Sequence, residues 1–332
     1  MPILSIIIPL FNTERFISPC LSSIWDCMAD NSLFEVIVID DGSTDSSAAI
    51  AQTFSARYAN LTYLHQDNAG VSVARMRGVS LAKGDYIWFI DSDDYLVANA
   101  IDEVLSIINH YQDVDVFVTP MCLVTDAGKQ IGLTNAFNSC FTTSGKALLK
   151  DKGLFLTGLP HFIVKHSLFE NKWLFFPVGV RYEDEYFARV LKYMDGQFMV
   201  LDKPLYYYRQ WEGSYMNTVQ VGSMQDIISI YEYLDRYAFT AVSAHDMPWF
   251  RNNIMSFLLE SYTRCSNSFG SKEFEDFRKN NEGFIQGEWL KYRQYFTVKD
   301  RILGRILLAN PLLYRFLIHV NNRRKQLLPT VK

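Results

Sequence analysis

The run Gly84-Asp85-Tyr86-Ile87-Trp88-Phe89-Ile90-Asp91-Ser92-Asp93-Asp94-Tyr95 decides the fold of this chain. Its apolar, aromatic middle reads as a strand buried on both faces of a parallel sheet, and it ends abruptly in three carboxylates. Open α/β sheets bind ligands just beyond the carboxyl ends of their strands, so these acids stand where a ligand sits. Carboxylates crowded on one turn repel one another and are seldom buried without a partner, and hard oxygen ligands of this kind suit a divalent cation such as Mg²⁺ or Mn²⁺. An acidic surface turn before a helix is the plainer alternative, and the strand ending alone does not separate the two.

Upstream the same form recurs. Ser5-Ile6-Ile7-Ile8-Pro9 is a β-branched run stopped by proline, and Thr13 with Glu14 is placed to cap a helix carrying Phe16, Cys20, Ile24 and Met28 at spacing four. Glu35 to Ser43 is a second apolar strand ending in acids, Asp40 and Asp41, followed by a glycine turn and a helix that aligns Ile50, Phe54 and Tyr58. Leu61 to Leu64 is a third short strand, after which Asp67-Asn68-Ala69-Gly70 turns the chain into a helix with Val71, Ala74, Gly78 and Leu81 on one stripe. Four strands alternating with helices specify right-handed crossovers and a mostly parallel, doubly wound, Rossmann-like sheet, with Val114 to Val118 as one further strand.

At 332 residues the chain is long enough for two domains or one domain with an extension. The expected division is a catalytic domain over 1–220 and a helical region over 221–332. Its five cysteines are scattered and lack any Cys-x-x-Cys spacing, which is the pattern of reduced thiols in a cytosolic protein. No basic stretch precedes the first apolar run, which is too short to span a bilayer and holds Pro9, so neither a leader nor a transmembrane helix is expected. The net charge of -4 hides an asymmetry: ten Lys/Arg against one acid beyond residue 290 leave the first 290 residues near -13.

From about Asn135 to Tyr208 the pattern is irregular. Two segments stand out, one around His161 and the other running from Phe175 through Arg181-Tyr182-Glu183-Asp184-Glu185. The acidic triplet falls at a helix start, where the dipole favours negative charge, and this alone is a sufficient structural reason for it. Beyond Gln225 the chain turns helical, with Ile227, Ile230, Tyr231, Leu234 and Ala238 on one face and a second helix around Ile254 to Tyr262.

In combination these segments resemble the family-2 inverting glycosyltransferases with the GT-A fold. The likeness is carried by residues 5–12, by Val38-Ile39-Asp40-Asp41-Gly42-Ser43-Thr44-Asp45, by Asn68-Ala69-Gly70-Val71-Ser72-Val73-Ala74-Arg75, by 84–94 and by Glu183-Asp184-Glu185. It covers residues 3 to about 210, and the middle segment is most like enzymes that build capsule, exopolysaccharide or lipopolysaccharide chains. The resemblance implies that Pro9 and Phe11 line a nucleotide pocket and that Asp41, with Asp40 beside it, accepts from the uracil. Asp91 and Asp93 then form a DxD element with Ser92 between them on the donor side. Asp93 is the implied ligand of Mn²⁺ or Mg²⁺, with Asp91 on the ribose or on the metal through water. Such a cation neutralises a nucleoside diphosphate leaving group as the sugar bond breaks.

Asp184 resembles the general base, which takes a proton from the acceptor hydroxyl while that oxygen attacks C1 opposite the diphosphate, inverting the anomeric centre. Glu183 and Glu185 are alternative bases, and their charge tends to raise the pKa of Asp184. Two departures stand out. Many relatives read Ala-Arg-Asn where this chain has Ala74-Arg75-Met76, so any contact made by that asparagine is absent or remodelled, with Arg75 beside it as a candidate donor contact; the processive synthases' Gln/Arg-x-x-Arg-Trp element is missing, and Tyr208-Arg209-Gln210-Trp211 with Ser214 sits where relatives close the site over the diphosphate. Arg209 has a phosphate-binding rationale and an equal one as a stacked structural arginine. His161 reads more readily as a core histidine than as a ligand contact.

The expected function is therefore metal-dependent, non-processive transfer of one sugar from a UDP-sugar to a hydroxyl of a growing, lipid-linked surface glycan, with no nucleic-acid partner. The competing readings are a non-catalytic nucleotide-sugar-binding subunit and a sugar-nucleotide pyrophosphorylase. The intact Asp184 and DxD element argue against the first, and Pro9-Leu10-Phe11-Asn12, which is neither glycine-rich nor basic, argues against the second. The tail interleaves Arg301, Arg305, Arg315, Arg323, Arg324 and Lys325 with leucines and isoleucines, as in an interfacial helix; capping the catalytic domain is the alternative. Its location is then cytoplasmic, peripheral on the inner face of the membrane.

Overall fold

A computed structural model describes residues 1–135, 137–151, 157–211, 223–267, 271–296, 301–302 and 305–306. The chain divides into two compact units. One comprises Met1–Gly179 with Glu183–Asn217, and the other Val180–Tyr182 with Thr218–Lys332.

The first unit starts with the expected alternation: β1 (Leu4–Leu10), α1 (Ile17–Ile24), β2 (Phe34–Asp40), α2 (Ser47–Arg57), β3 (Leu61–His65), α3 (Val71–Leu81) and β4 (Tyr86–Phe89). Strands β3, β2, β1 and β4 lie side by side in that order, all parallel. Period-two alternation sorts their side chains. Leu4, Ile6, Ile8, Val36, Val38 and Trp88 join a large core with Cys20, Leu21 and Ile24 of α1, while Ile37 and Ile39 meet Ala74 of α3 on the other face.

The middle of the chain, irregular as a sequence, completes this sheet. After β5 (Tyr95–Leu96) and α4 (Ala100–His110) come β6 (Val116–Val118), β7 (Met121–Thr125), β8 (Gln130–Leu133), β9 (Phe141–Ser144), α5 (Gly145–Lys150), β10 (Phe162–Lys165), α6 (Glu183–Tyr193), β11 (Gln197–Val200) and β12 (Tyr206–Gln210). The large sheet has eight strands in the order β3-β2-β1-β4-β10-β6-β11-β9, with β10 antiparallel to both its neighbours and β9 antiparallel to β11. A second sheet of order β5-β12-β7-β8 carries the strand that returns to the end of β4. The result is a mostly parallel α/β sheet of the expected class. The strands of the middle segment are three to five residues long, too short for periodicity to reveal.

Two local expectations are corrected. Met28 lies beyond the end of α1 and is 94% exposed rather than on the helix stripe. Thr13 does not cap α1 with its side chain; its carbonyl accepts from the amides of Phe16 and Ile17, while its hydroxyl donates to Ser92 Oγ at 3.0 Å.

The second unit holds α7 (Ser223–Ala241), α8 (Met247–Asn267) and α9 (Ser271–Tyr292), and the stripe Ile227, Ile230, Tyr231, Leu234 and Ala238 is buried. Among the described residues no helix is long and apolar enough to cross a membrane.

At the start of the central strands, Glu35 Oε1 accepts from Ser5 Oγ and from Lys83 N, both at 2.6 Å, and Gly84 N donates to Ser5 Oγ at 2.8 Å. A Cβ on Gly84 would meet Ser5 N at 2.6 Å and Leu4 C at 2.8 Å, both backbone atoms that cannot move aside. Gly84→Ala is therefore expected to destabilise the fold by about 1–3 kcal/mol, the usual cost of forced overpacking. A thermal melt of the variant checks this, and an unchanged midpoint would contradict the close approach.

Candidate active site

Strand β4 delivers its acids into a turn closed by the amide of Asp94 on the carbonyl of Asp91 at 3.1 Å. The third acid is the anchor of that turn. Asp94 is 1% exposed; its carboxylate accepts from Tyr206 Oη at 2.6 Å and from the amide of Arg209 at 2.7 Å. The same tyrosine oxygen accepts from the amide of Asp91 at 3.2 Å, so β12 grips both ends of the acidic turn. Burial, and then the charges of Asp93 and Asp91, push the Asp94 carboxyl well above the usual carboxylate range. Tyr206 has no signal in the sequence beyond its place in an aromatic run.

Arg209 is built into this frame. Its Nε donates to the carbonyl of Asp93 and one terminal nitrogen to that of Asp126, each at 2.9 Å, while its guanidinium lies over the rings of Phe16 and Tyr95 at 5.1 and 4.9 Å. The stacked structural reading thus accounts for most of the side chain, and Nη2 alone has no bond to a described residue.

Asp91 and Asp93 present the remaining oxygens. Asp91 Oδ1 accepts from Arg75 at 2.9 Å with its side chain 33% exposed, and Asp93 Oδ2 accepts from Trp211 Nε1 at 3.0 Å. Burial and the neighbouring Asp91 raise the Asp93 carboxyl, which marks negative charge short of compensation. Among the described residues no second side chain bonds to either carboxylate. Mg²⁺ and Mn²⁺ need only one or two carboxylates when substrate phosphates and water supply the other ligands, so this pair fits such a cation. Among the described residues no group of three or more His, Cys, Asp or Glu is placed to hold a metal ion by itself.

The loops after β1 and β2 form one hydrogen-bonded body. Asn12, with a left-handed φ of 51°, accepts at its side-chain oxygen from the amide of Thr44 at 2.8 Å, and Thr13 N donates to Ser47 Oγ at 2.8 Å. Pro9 is buried in β1 and Phe11 is 46% exposed beside this loop. Asp41 accepts from Gln66 Nε2 and the amides of Ala69 and Gly70, fixing the turn where Gly70 has φ of 90°. Asp40 corrects the sequence reading. It is 0% exposed, and its oxygens accept from Ser43 N and from Tyr63 Oη and pair with His65 Nδ1. Burial opposes its charge, but these contacts outweigh it and hold the carboxyl below its usual range. Asp40 orders the loop and offers nothing to a donor. Ser92 is likewise buried, taken by Thr13.

Arg75 is a second correction. Rather than reaching out to a donor it is 6% exposed and forks between two acids, with Nη2 on Asp91 Oδ1 at 2.9 Å and Nη1 on Glu183 Oε1 at 2.5 Å, its guanidinium over the ring of Phe176. This pairing separates the three acids of α6. Glu183 belongs to Arg75, and Glu185 pairs with Arg189 one turn on. Asp184, half-buried, accepts only from the amide of Glu185, and no described cation pairs with it. Burial and then the flanking Glu183 and Glu185 push its carboxyl well above the usual range, with Arg75 pulling the other way.

His161 is a core residue: it is 0% exposed, with Nδ1 2.6 Å from the carbonyl of Thr119, and burial lowers its pKa to about 4. A separate cleft of about 720 Å³ lies at the opposite end of the strands, lined by Ile3, Gly84 and Lys165, and takes no part in the acidic site. Ser214 and the tail beyond Ile306 lie outside the described residues.

Tyr206→Phe removes the hydroxyl shared by Asp94 and the Asp91 amide. It is expected to cost about 1–3 kcal/mol, as for a buried polar group left unsatisfied. Chemical denaturation measures this, and a loss below about 0.5 kcal/mol would show that the turn does not depend on β12.

The family model for glycosyl transferase family 2 matches residues 5–170. Glycosyltransferase GlyG of Streptococcus pneumoniae is 28% identical over 249 residues, 69% of this chain and 78% of that protein. Glycosyltransferase GlyA of the same organism is also 28% identical, over 64% of this chain but only 31% of its own length. A poly(ribitol-phosphate) beta-glucosyltransferase of Bacillus spizizenii is 27% identical over 68% of this chain and 36% of its own length. The chain thus spans about a third of two of these relatives. In three dimensions a crystal structure of S. aureus TarS in complex with UDP-GlcNAc superposes with a TM-score of 0.74 at 20% identity, covering 98% of this chain and 92% of that one. With half its length matched by the family model and the acidic strand end, the loops and α6 in place, this chain belongs to glycosyl transferase family 2.

Proposed function

We propose that the protein transfers a single sugar from a UDP-sugar to a hydroxyl of a surface glycan, with inversion at the anomeric carbon. The observation that carries this reading is the arrangement of α6, where two of three successive acids are neutralised by arginines and Asp184 alone is left with a raised carboxyl. A general base needs a pKa lifted toward working pH and an oxygen not already held by a cation. Asp184 takes the proton from the acceptor hydroxyl. The hydroxyl oxygen forms its bond to C1 as the bond from C1 to the diphosphate oxygen breaks, and the electron pair leaves with UDP.

Asp93 and Asp91 are the residues that would hold Mn²⁺ or Mg²⁺. Bound there, the cation supplies neutralisation of the charge that develops on the diphosphate. Trp211 and the acidic turn orient Asp93, and the Phe11 and Asp41 loops provide the surface for the nucleobase. The choice of uridine is supported by the UDP-GlcNAc complex of TarS, and the glycan acceptor by the names of the relatives.

Full chelation is expected to abolish UDP release from UDP-sugars, and Mn²⁺ or Mg²⁺ to restore it; full activity in excess EDTA overturns the metal assignment. Asp184→Asn is expected to lower kcat by about 10²- to 10⁴-fold while UDP affinity stays near wild type. Because the Asp184 carboxyl is raised, its basic form is lost as pH falls through that raised value, so the acid limb of kcat lies above the ordinary carboxylate range. An acid limb near pH 4 would move the role elsewhere.

For the basic, apolar tail we propose contact with an anionic membrane surface, which would bring the enzyme to a lipid-linked acceptor; each Lys or Arg near such a leaflet contributes about 1 kcal/mol. Co-sedimentation with anionic vesicles should fall with salt and on truncation after Phe296. Equal, negligible binding of both forms returns the tail to a structural role.

A further inference from the structure

Arg75 does more than fill a buried position. It reaches from α3 to Asp91 at the end of β4 and to Glu183 at the start of α6, two acids 92 positions apart in the chain. The same face of α3 makes a second tie to the base segment, since Ser72 Oγ donates to the carbonyl of Pro177 at 2.7 Å, and Phe176 lies under the guanidinium. Arg75 Nε is buried and has no hydrogen-bond partner among the described residues, while both terminal nitrogens hold acids. A planar guanidinium can fork to two carboxylates in fixed directions, whereas an ammonium is a point charge.

We infer that Arg75 is a positioning residue that couples the cation and diphosphate side of the site to the base side, by sharing one guanidinium charge between Asp91 and Glu183. The inference rests on the donor reading above. Its physical content is competition. While Glu183 holds part of the fork, Asp91 keeps charge to offer a cation; with Glu183 neutralised, Arg75 pairs wholly with Asp91 and opposes cation binding there. Linkage requires the converse, so filling the Asp91 and Asp93 site drives Arg75 toward Glu183, beside the base.

The test is calorimetric binding of UDP in the presence of Mn²⁺, with no turnover involved. Glu183→Gln, on the base helix, is expected to weaken UDP–Mn²⁺ binding about fivefold or more. The effect should disappear in an Arg75→Lys background, which breaks the path. Ser72→Ala, which cuts the neutral tie from α3, should lower the melting temperature without changing the Kd. A folded Glu183→Gln variant with wild-type Kd overturns the coupling, as does a weakening that persists in the Arg75→Lys background. Failure of the wild-type protein to bind UDP with Mn²⁺ removes the donor reading and this inference together, whereas wild-type binding with an unresponsive Glu183→Gln removes the inference alone.

Discussion

The structure depends on balancing negative charge at one end of β4. Six acids converge there, Asp91, Asp93 and Asp94 from the strand and Glu183, Asp184 and Glu185 from α6, and the Arg75 fork connects the two sets. Unit charges about 4 Å apart near a protein surface interact by about 4 kcal/mol, a large part of a total stability of about 5–15 kcal/mol. So much like charge cannot be left uncompensated. Arg75, Arg189 and Arg209, with the hydroxyl of Tyr206 and the indole of Trp211, answer part of it. Burial and then the neighbouring acids raise the carboxyl of Asp94, which Tyr206 and the amide of Arg209 enclose, and also those of Asp93 and Asp184, neither of which has an ion pair to a described cation. These are the two positions at which the proposed chemistry brings in something from outside, a cation to one and an acceptor proton to the other.

The two sheets serve that arrangement differently. The large sheet fixes where the acids emerge, because β4 is held on one side by β1 and on the other by antiparallel β10. The small sheet fixes how they are oriented, since β12 brings Tyr206 and Arg209 to the turn from a strand that pairs with β5 and β7. Strands and helices thus hold the acids, while the loops after β1 and β2 form the surface beside them.

The first half of this architecture was legible because its strands are runs of β-branched residues separated by helices of 8 to 11 residues with glycine or acidic turns between them. The acids at the strand ends were legible for the same reason. The partners of those acids were not. Asp40 and Asp41 look alike in sequence, and only the placement of Tyr63 and His65 on β3 and of Gln66, Ala69 and Gly70 after it shows what each carboxylate holds. Arg75 looks like a donor contact until α6 is placed, 108 residues later, against it. Trp211 and Tyr206 pair with Asp93 and Asp94 over 118 and 112 residues, a range at which spacing carries no signal. Local pattern therefore located the charged end of the sheet, and long-range pairing decided which charges remain available.

The entry into α6 shows how backbone geometry contributes to that choice. Gly179 has φ of 75° and Tyr182 φ of 64°, so the chain passes through the left-handed region twice within four residues just before Glu183. Glycine adopts this conformation freely, but for tyrosine it costs on the order of 1 kcal/mol and persists only where the surroundings demand it. The residue that follows the strained tyrosine is the one that Arg75 holds. Successive residues of a helix start point about 100° apart, so with Glu183 on Arg75 and Glu185 on Arg189 the side chain between them projects in a third direction. The turn thus leads directly into the acid that Arg75 holds, and with Glu183 and Glu185 each on an arginine, Asp184 is the acid of the three without an ion pair among the described residues.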